Sequence, residues 1–468
     1  MATAERPNLL FVFSDQHRGV VLGCAGNPDV ETPALDGLAA QGTRFENACA
    51  NAPVCTPSRA CLLTGQYPLT HRVIGNDLPL PTDAPSVAEA FRDAGYRTGY
   101  VGKWHLDGVP REKFTPPGPR RQGFDDFWAA WNCSHDYADA RYYRDEDAPV
   151  AVEGYEPVEQ TDLALEFLDA DDERPFCLFL SWGPPHAPYD QAPGEYRERY
   201  DPDSLALRPN AEPIPPETSE IAGDLDPRET LANYYAHVTA LDDQFGRLLE
   251  HLDDAGLREE TIVTYTSDHG DMLWSQGKFK KEQPWAESVG VPFVVRYPGV
   301  VPAGETEDAP FGLVDAAPSL LALAGIDPPD EMEGEDYSPR LRGEDPPVRD
   351  SVFLAQIVRN SQARTQHLPP WRGVRTRRYT YARLHDGTGW LLYDDEEDPY
   401  QLHNRVLNDD YAAERERLDA LLDEWLERTG DPFVSEEEHV RAVDMVAEWN
   451  ARFESFPWFD EGDRIDPD

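Results

Sequence analysis

The chain has 468 residues, 42 basic and 89 acidic side chains, and a formal charge of −47. It is long enough to bury a large core, but it offers no cationic field to nucleic acid or to an anionic membrane surface. Lysine occurs only at positions 103, 113, 278, 280 and 281, and an acidic, lysine-poor surface is what a halophile's cytoplasmic protein is expected to show, because concentrated salt screens its self-repulsion.

In chain order, residues 8–13 form a continuous apolar run ending in Ser14-Asp15-Gln16, and a helix is predicted to start just after Cys55. A helical pattern follows at 86–94, then a strand at 97–101 leading into Gly102-Lys103-Trp104-His105. A helix at 162–168 precedes an apolar run at 176–180, and residues 184–226, rich in Pro, Asp and Glu, are expected to wrap the surface. A long helical pattern at 231–252 leads to apolar runs at 261–265 and 292–295 and a helix at 314–324. Runs apolar on both faces fit the buried strands of a parallel sheet. Their alternation with helices predicts a large, doubly wound, mostly parallel α/β domain over 1–345.

A boundary near 343–348 introduces a smaller carboxyl-terminal α+β domain over 346–468. Its strands, 374–384 and 390–393, are predicted to pair as an antiparallel hairpin through Asp386-Gly387, followed by a helix at 411–428. The acidic tail at 449–468 carries Phe453, Phe456, Trp458 and Phe459 and is a candidate cap for a domain or an oligomer interface. The opening residues 1–7 lack a secretion-signal pattern, and no apolar stretch approaches the roughly 18 residues of a membrane span. A cytoplasmic location is expected.

The six cysteines, at 24, 49, 55, 61, 133 and 177, form no Cys-x-x-Cys pair, which argues against a zinc knuckle or a disulfide scaffold. Thr56 suits a helix cap, Pro57 the first helical position and Gly65 a left-handed exit. Cys55 would then face free backbone N–H groups, which favour a thiolate or a bound anion. The alternatives are a small buried cysteine or a bridge to Cys61.

Asp15, Gln16, Asp268 and His269 follow two predicted buried strands, and sites in such sheets gather beyond the carboxyl ends of the strands. Together they offer hard oxygen ligands and one imidazole, a set suited to one divalent cation; oxygen-rich coordination favours calcium, magnesium or manganese, the His and Gln weaken a case for calcium alone, and calcium is the expected ion with magnesium or manganese as alternatives. Lys103 and His105 follow a third strand, and a lysine retained in so lysine-poor a chain points to a site role. His186, after the strand at 176–180, is a further candidate. His71 reads equally well as pocket-lining or structural. The aromatic residues from Phe127 to Tyr143, His135 among them, read as core, with one or two lining a pocket.

Cys55-Thr56-Pro57-Ser58-Arg59, followed by Leu63-Thr64-Gly65, resembles the signature of the type I sulfatases, in the alkaline phosphatase superfamily. The resemblance implies that a separate maturation enzyme oxidises Cys55 to formylglycine, whose hydrated aldehyde is the nucleophile supported by Arg59. Ser267-Asp268-His269-Gly270-Asp271 resembles the family's metal motif, which implies residue 55 as a further ligand beside Asp15, Gln16, Asp268 and His269. By the same resemblance Lys103 and His105 contact the substrate oxyanion, His105 regenerates the aldehyde, and His186 and Lys281 serve the leaving-group oxygen. Lys281 is chosen over Lys278 and Lys280 by its spacing to Trp285. The family's usual acid and arginine are replaced by Ala286 and Gly290. The Asp15-Gln16 pair is more similar to the phosphonate monoester hydrolase and choline sulfatase branch. The expectation is a metal-dependent hydrolase of small-molecule sulfate monoesters. A phosphonate or phosphate ester hydrolase and a noncatalytic anion-binding protein are the alternatives.

Overall fold

The computed structural model describes residues 6–214, 225–456 and 461–466. An eight-stranded sheet organises the larger part of the chain. Its strands are β1 (Asn8–Asp15), β2 (Thr43–Phe45), β3 (Arg97–Lys103), β4 (Phe127–Trp131), β5 (Phe176–Pro185), β6 (Thr261–Ser267), β7 (Phe293–Arg296) and β8 (Glu305–Glu307). They lie in the order β8-β2-β7-β6-β1-β5-β3-β4. β1 pairs parallel with both β5 and β6, and β3 parallel with β5 and β4. Every side chain of β1, β3, β5 and β6 is buried, as strands covered by helices on both faces require. The exception to parallel order is β7, which runs antiparallel to β6 and β2. The fold is therefore the expected α/β architecture with a large, mostly parallel sheet.

Order reversal at the centre of the sheet brings the carboxyl ends of β1 and β6 side by side. Asp268 N donates to Ser14 O at 3.1 Å, stitching the two exits together. Gly102, near the end of β3, has φ 103°, and a Cβ there would lie 2.0 Å from Ser181 O of β5. Glycine is what lets these strands close up immediately before Lys103.

A second sheet is antiparallel: β9 (Ser351–Gln356), β10 (Trp371–Thr376), β11 (Tyr379–Leu384) and β12 (Gly389–Asp394). The run at 374–384, expected as one strand, is broken after Thr376, whose Oγ1 accepts from the N–H groups of Arg378 (3.2 Å) and Tyr379 (2.9 Å). The helix Ala412–Arg428 packs on this sheet. One apolar cluster runs from Leu9, Phe11 and Phe13 to Phe353, Val374, Trp425 and Trp449, so the two sheets share a core. In the tail, Trp449, Phe453 and Phe456 are buried, whereas Trp458 and Phe459 lie outside the described residues, as do 215–224 of the surface wrap. Among the described residues no helix is long and apolar enough to cross a membrane.

All six cysteines are free, so no bridge joins Cys55 to Cys61. Cys61 Sγ instead lies 3.4 Å from His71 Nε2, and His71 Nδ1 accepts from Val73 N at 3.1 Å, which makes His71 structural.

Candidate active site

The helix α1 (Cys55–Thr64) begins two residues earlier than its capping signals predict. Cys55 is its first residue, after an extended Val54, and Ser58 N donates to Val54 O at 3.1 Å. Thr56 does not cap it. Its N–H donates to Asn76 Oδ1 at 2.9 Å and its Oγ1 accepts from Asp77 N at 3.2 Å. A distant asparagine thus does the work expected of a local cap, while Gly65 exits left-handed at φ 62° as predicted. Cys55 is 1 % exposed at this N-terminus.

Around its sulfur the strand ends converge. Cys55, Asp15, Asp268 and His269 are all buried, and one ligand atom from each lies within 4.8 Å of the others. His269 Nδ1 sits 2.9 Å from Gly270 O, an arrangement that holds Nε2 toward Cys55 Sγ (3.3 Å) and Asp15 Oδ1 (3.4 Å). Orientation of a ligating imidazole by a backbone carbonyl is characteristic of metal sites. Gln16, at φ 73°, points its backbone N–H at Asp268 Oδ1 (3.1 Å) and its amide nitrogen at Asp271 (2.7 Å). Its buried Oε1 has no hydrogen-bond partner among the described residues. Two carboxylates, an imidazole and a spare amide oxygen suit a hard divalent cation.

Cations surround the acids. Lys103 Nζ is 2.5 Å from Asp15 Oδ2, and Lys281 Nζ is 2.9 Å from Cys55 Sγ. Arg59 Nε donates to Asp268 Oδ2 at 2.9 Å, while its Nη1 donates to Lys103 O (2.7 Å) and Ser181 Oγ (2.8 Å). Burial works to raise the carboxyl pKa of Asp15, yet Lys103 and Lys281 hold it well below the usual range. Burial and Asp15 likewise press the Cys55 thiol upward, but Lys281, Lys103 and His269 outweigh them and favour the thiolate. Burial alone would discharge Lys103; Asp15, Cys133 and Cys55 keep its ammonium charged. These cations favour negative charge on the buried side chains of Asp15 and Cys55.

A cavity of about 490 Å³ opens over this cluster, lined by Cys55, His105, Arg111, His135, His186 and Lys281 among others. Every site residue predicted from the sequence therefore comes to one place: Arg59 and the metal-ligand candidates beneath, Lys103 against Asp15, and His105, His186 and Lys281 in the wall. The sequence points to one or two pocket-lining members of the belt at 127–143, and His135 is one, but its contacts and those of Asp77 are not legible there. His135 stacks on His186 with ring centroids 4.1 Å apart and lies 3.3 Å from Lys103 Nζ. Asp77 Oδ1 lies 2.9 Å from His105 Nε2, and Asp77 also accepts from Arg111 Nε (2.7 Å) and Nη2 (2.8 Å). Against the lowering effect of burial, Cys133 and Asp77 lift His105 to a pKa of about 10.

Asp77→Asn would leave the buried His105 and the mostly covered Arg111 without their carboxylate. Breaking such a group is expected to cost about 3 kcal/mol, read as a lower midpoint of urea unfolding; an unchanged midpoint would show that Asp77 does not support this wall.

The Sulfatase family model matches residues 7–326, and the model for the carboxyl-terminal region of N-sulphoglucosamine sulphohydrolase matches 275–428. An ulvan-active sulfatase of Formosa agariphila is 41 % identical over 447 residues, covering 94 % of this chain and 85 % of its own. The crystal structure of YidJ from Bacteroides fragilis superposes with a TM-score of 0.81 at 30 % identity, covering 92 % of this chain and 98 % of its own. The phosphonate monoester hydrolase of Agrobacterium radiobacter shares the fold, with a TM-score of 0.73 at 24 % identity over 90 % of this chain and 96 % of its own.

Proposed function

Because the chain belongs to the sulfatase family and is a sulfuric ester hydrolase, we propose that it cleaves sulfate monoesters with a formylglycine made from Cys55 and one divalent cation. The observation that carries this reading is Cys55 Sγ itself, at the first turn of α1, with Lys281 Nζ at 2.9 Å and Asp15, Asp268 and His269 gathered around it. The ligands are Asp15, Asp268, His269 and residue 55, with Gln16 contributing its unpartnered oxygen; calcium is the first candidate and magnesium or manganese the next. When bound, the cation neutralises anionic charge, and the formylglycine supplies a hydrated aldehyde as nucleophile.

The protein's own residues divide the remaining work. Arg59, fixed by Asp268 and Ser181, holds the base of position 55 rigid. Lys103 and His105 bind the sulfate oxygens, and Asp268 accepts a proton from the nucleophile. His186 and Lys281 stabilise the oxygen of the departing alcohol, and His105, kept protonated by Cys133 and Asp77, holds a positive charge beside the sulfate oxygens. Preorganised cations contribute most, since the reacting group is already anionic. The relative named an ulvan-active sulfatase supports a sulfated carbohydrate as substrate class. A separate maturation enzyme is an implied partner. The charge of −47 with five lysines supports cytoplasmic life at high salt.

A second reading, phosphonate or phosphate ester hydrolysis by the same apparatus, is favoured by the Asp15-Gln16 pair and the phosphonate monoester hydrolase fold. Paired assays with an aryl sulfate and an aryl phosphonate bearing the same leaving group decide between them. Higher kcat/KM on the sulfate is expected; preference for the phosphonate would reverse the assignment.

A further inference from the structure

Beside the active-site cavity lies a second one, of about 410 Å³, and the two share Arg111 and His135 as a common wall. Nothing in the proposed chemistry uses this space. Its far side is formed by Trp131, Glu112, Asp139, Arg141 and Phe456. Trp131 closes β4, the edge strand of the large sheet, and its ring is backed by Tyr143 at 4.8 Å and 3° between planes, a rigid platform. Phe456 comes from the carboxyl-terminal tail, and the Arg111 guanidinium lies 4.6 Å over its ring. The tail aromatic thus reaches into the wall of the substrate cleft rather than only covering a domain.

The chemistry of this space selects an occupant. Aromatic faces offer an apolar surface to the C–H groups of a sugar ring. The Arg111 charge is met by Asp77 and that of Arg141 by Asp139 at 3.9 Å, so no guanidinium here is left as an open anion site; carboxylates and guanidinium groups together accept from and donate to ring hydroxyls. Concave apolar surface with a few convergent polar groups is the usual form of a ligand site, and the volume falls within the usual range. A sulfated sugar with its sulfate in the first cavity, and the sugar glycosidically linked to it lying past the shared His135 and Arg111, would occupy both spaces at once.

We propose that the second cavity is a subsite for the sugar unit next to the sulfated one, so that the enzyme acts on sulfated oligosaccharides in preference to single sulfated sugars. This rests on the sulfate-ester reading of the adjoining site. Trp131 and Phe456 are its platforms, and Asp139 and Arg141 its hydroxyl partners.

The test uses the full-length matured enzyme with an aryl sulfate, a sulfated monosaccharide, and ulvan, carrageenan and glycosaminoglycan oligosaccharides. At least one oligosaccharide is expected to exceed the monosaccharide in kcat/KM by about tenfold, the worth of one good stacking contact. Trp131→Ala, Phe456→Ala and Asp139→Asn should each shrink the oligosaccharide-to-aryl-sulfate ratio, which is insensitive to the fraction of folded enzyme; Asp139 is largely exposed, so its variant guards against misfolding of the aromatic ones. Aryl sulfate turnover with no gain from a second sugar, or a ratio unmoved in all three variants, would overturn the subsite. Absence of turnover on every sulfate ester would instead overturn the reading on which it rests.

Discussion

Cys55→Ala is expected to reduce sulfate-ester turnover by about 10⁴-fold or more, the loss typical of removing a covalent nucleophile. The residue is buried at the first turn of α1, and its Sγ has Lys281 Nζ at 2.9 Å and His269 Nε2 at 3.3 Å. Three cationic or potentially cationic groups favour negative charge on whatever atom residue 55 carries. Alanine removes that atom but changes little volume, so the fold should survive, which circular dichroism and unfolding would verify. The rival account, a protein that only binds anions, makes the opposite prediction: sulfate binding would persist and the residual turnover would match the parent. Comparing kcat/KM of the parent and the variant on an aryl sulfate separates the two.

Removing divalent cations is expected to have the next largest effect. Asp15 and Asp268 share one buried space with few ways to discharge both carboxylates. Asp15 is matched by Lys103 at 2.5 Å, but Asp268 has Arg59 on one oxygen and the Gln16 N–H and His269 on the other. Burial and the nearby Asp15 both raise its pKa, against the opposing pull of His269 and Arg59. A cation between these oxygens would relieve that repulsion and supply several kcal/mol of charge stabilisation to the reaction. Dialysis against a chelator should therefore lower kcat by about 10²-fold or more. Restoration by calcium above magnesium or manganese would support the assigned ion, and full activity after exhaustive chelation would contradict a metal role. Asp268→Asn, which keeps shape but removes charge, should weaken restoration by calcium.

Much of this architecture was legible in the sequence because it is carried by local patterns. Strands β1, β5 and β6 announce themselves as short apolar runs, and the chemistry-bearing residues sit directly at their ends, so the convergence of Asp15 with Asp268 follows from parallel pairing of neighbours. Thr56 and Pro57 satisfy local capping rules and so place the start of α1 too late, whereas Asn76, twenty residues after Thr56, caps that end. The break after Thr376 was equally invisible: residues 374–384 look like one strand, and only the hydroxyl of Thr376 bonding forward reveals the turn.

The missed supports share a cause. Asp77 carries no motif, and its importance arises from the pairing with His105, which is fixed by the way the loop after α1 lies against the end of β3. His135 was hidden among seven aromatic and imidazole residues that read as core. Its stacking on His186 depends on β4 and β5 flanking β3 on opposite sides. The three lysines at 278, 280 and 281 gave an ambiguous register by spacing; backbone φ values of 62° at Lys280 and 77° at Glu282 turn the chain so that the Lys281 ammonium meets Cys55.

The most direct test of the account is peptide mass spectrometry of protein purified from its native host, with aldehyde derivatisation of the peptide that contains Cys55. Conversion of the cysteine to formylglycine lowers the residue mass by about 18 Da, and hydration restores it, so the derivatised aldehyde is the decisive signal. The account predicts a labelled aldehyde at position 55, in a fraction that tracks specific activity. An unlabelled thiol in fully active protein would contradict it.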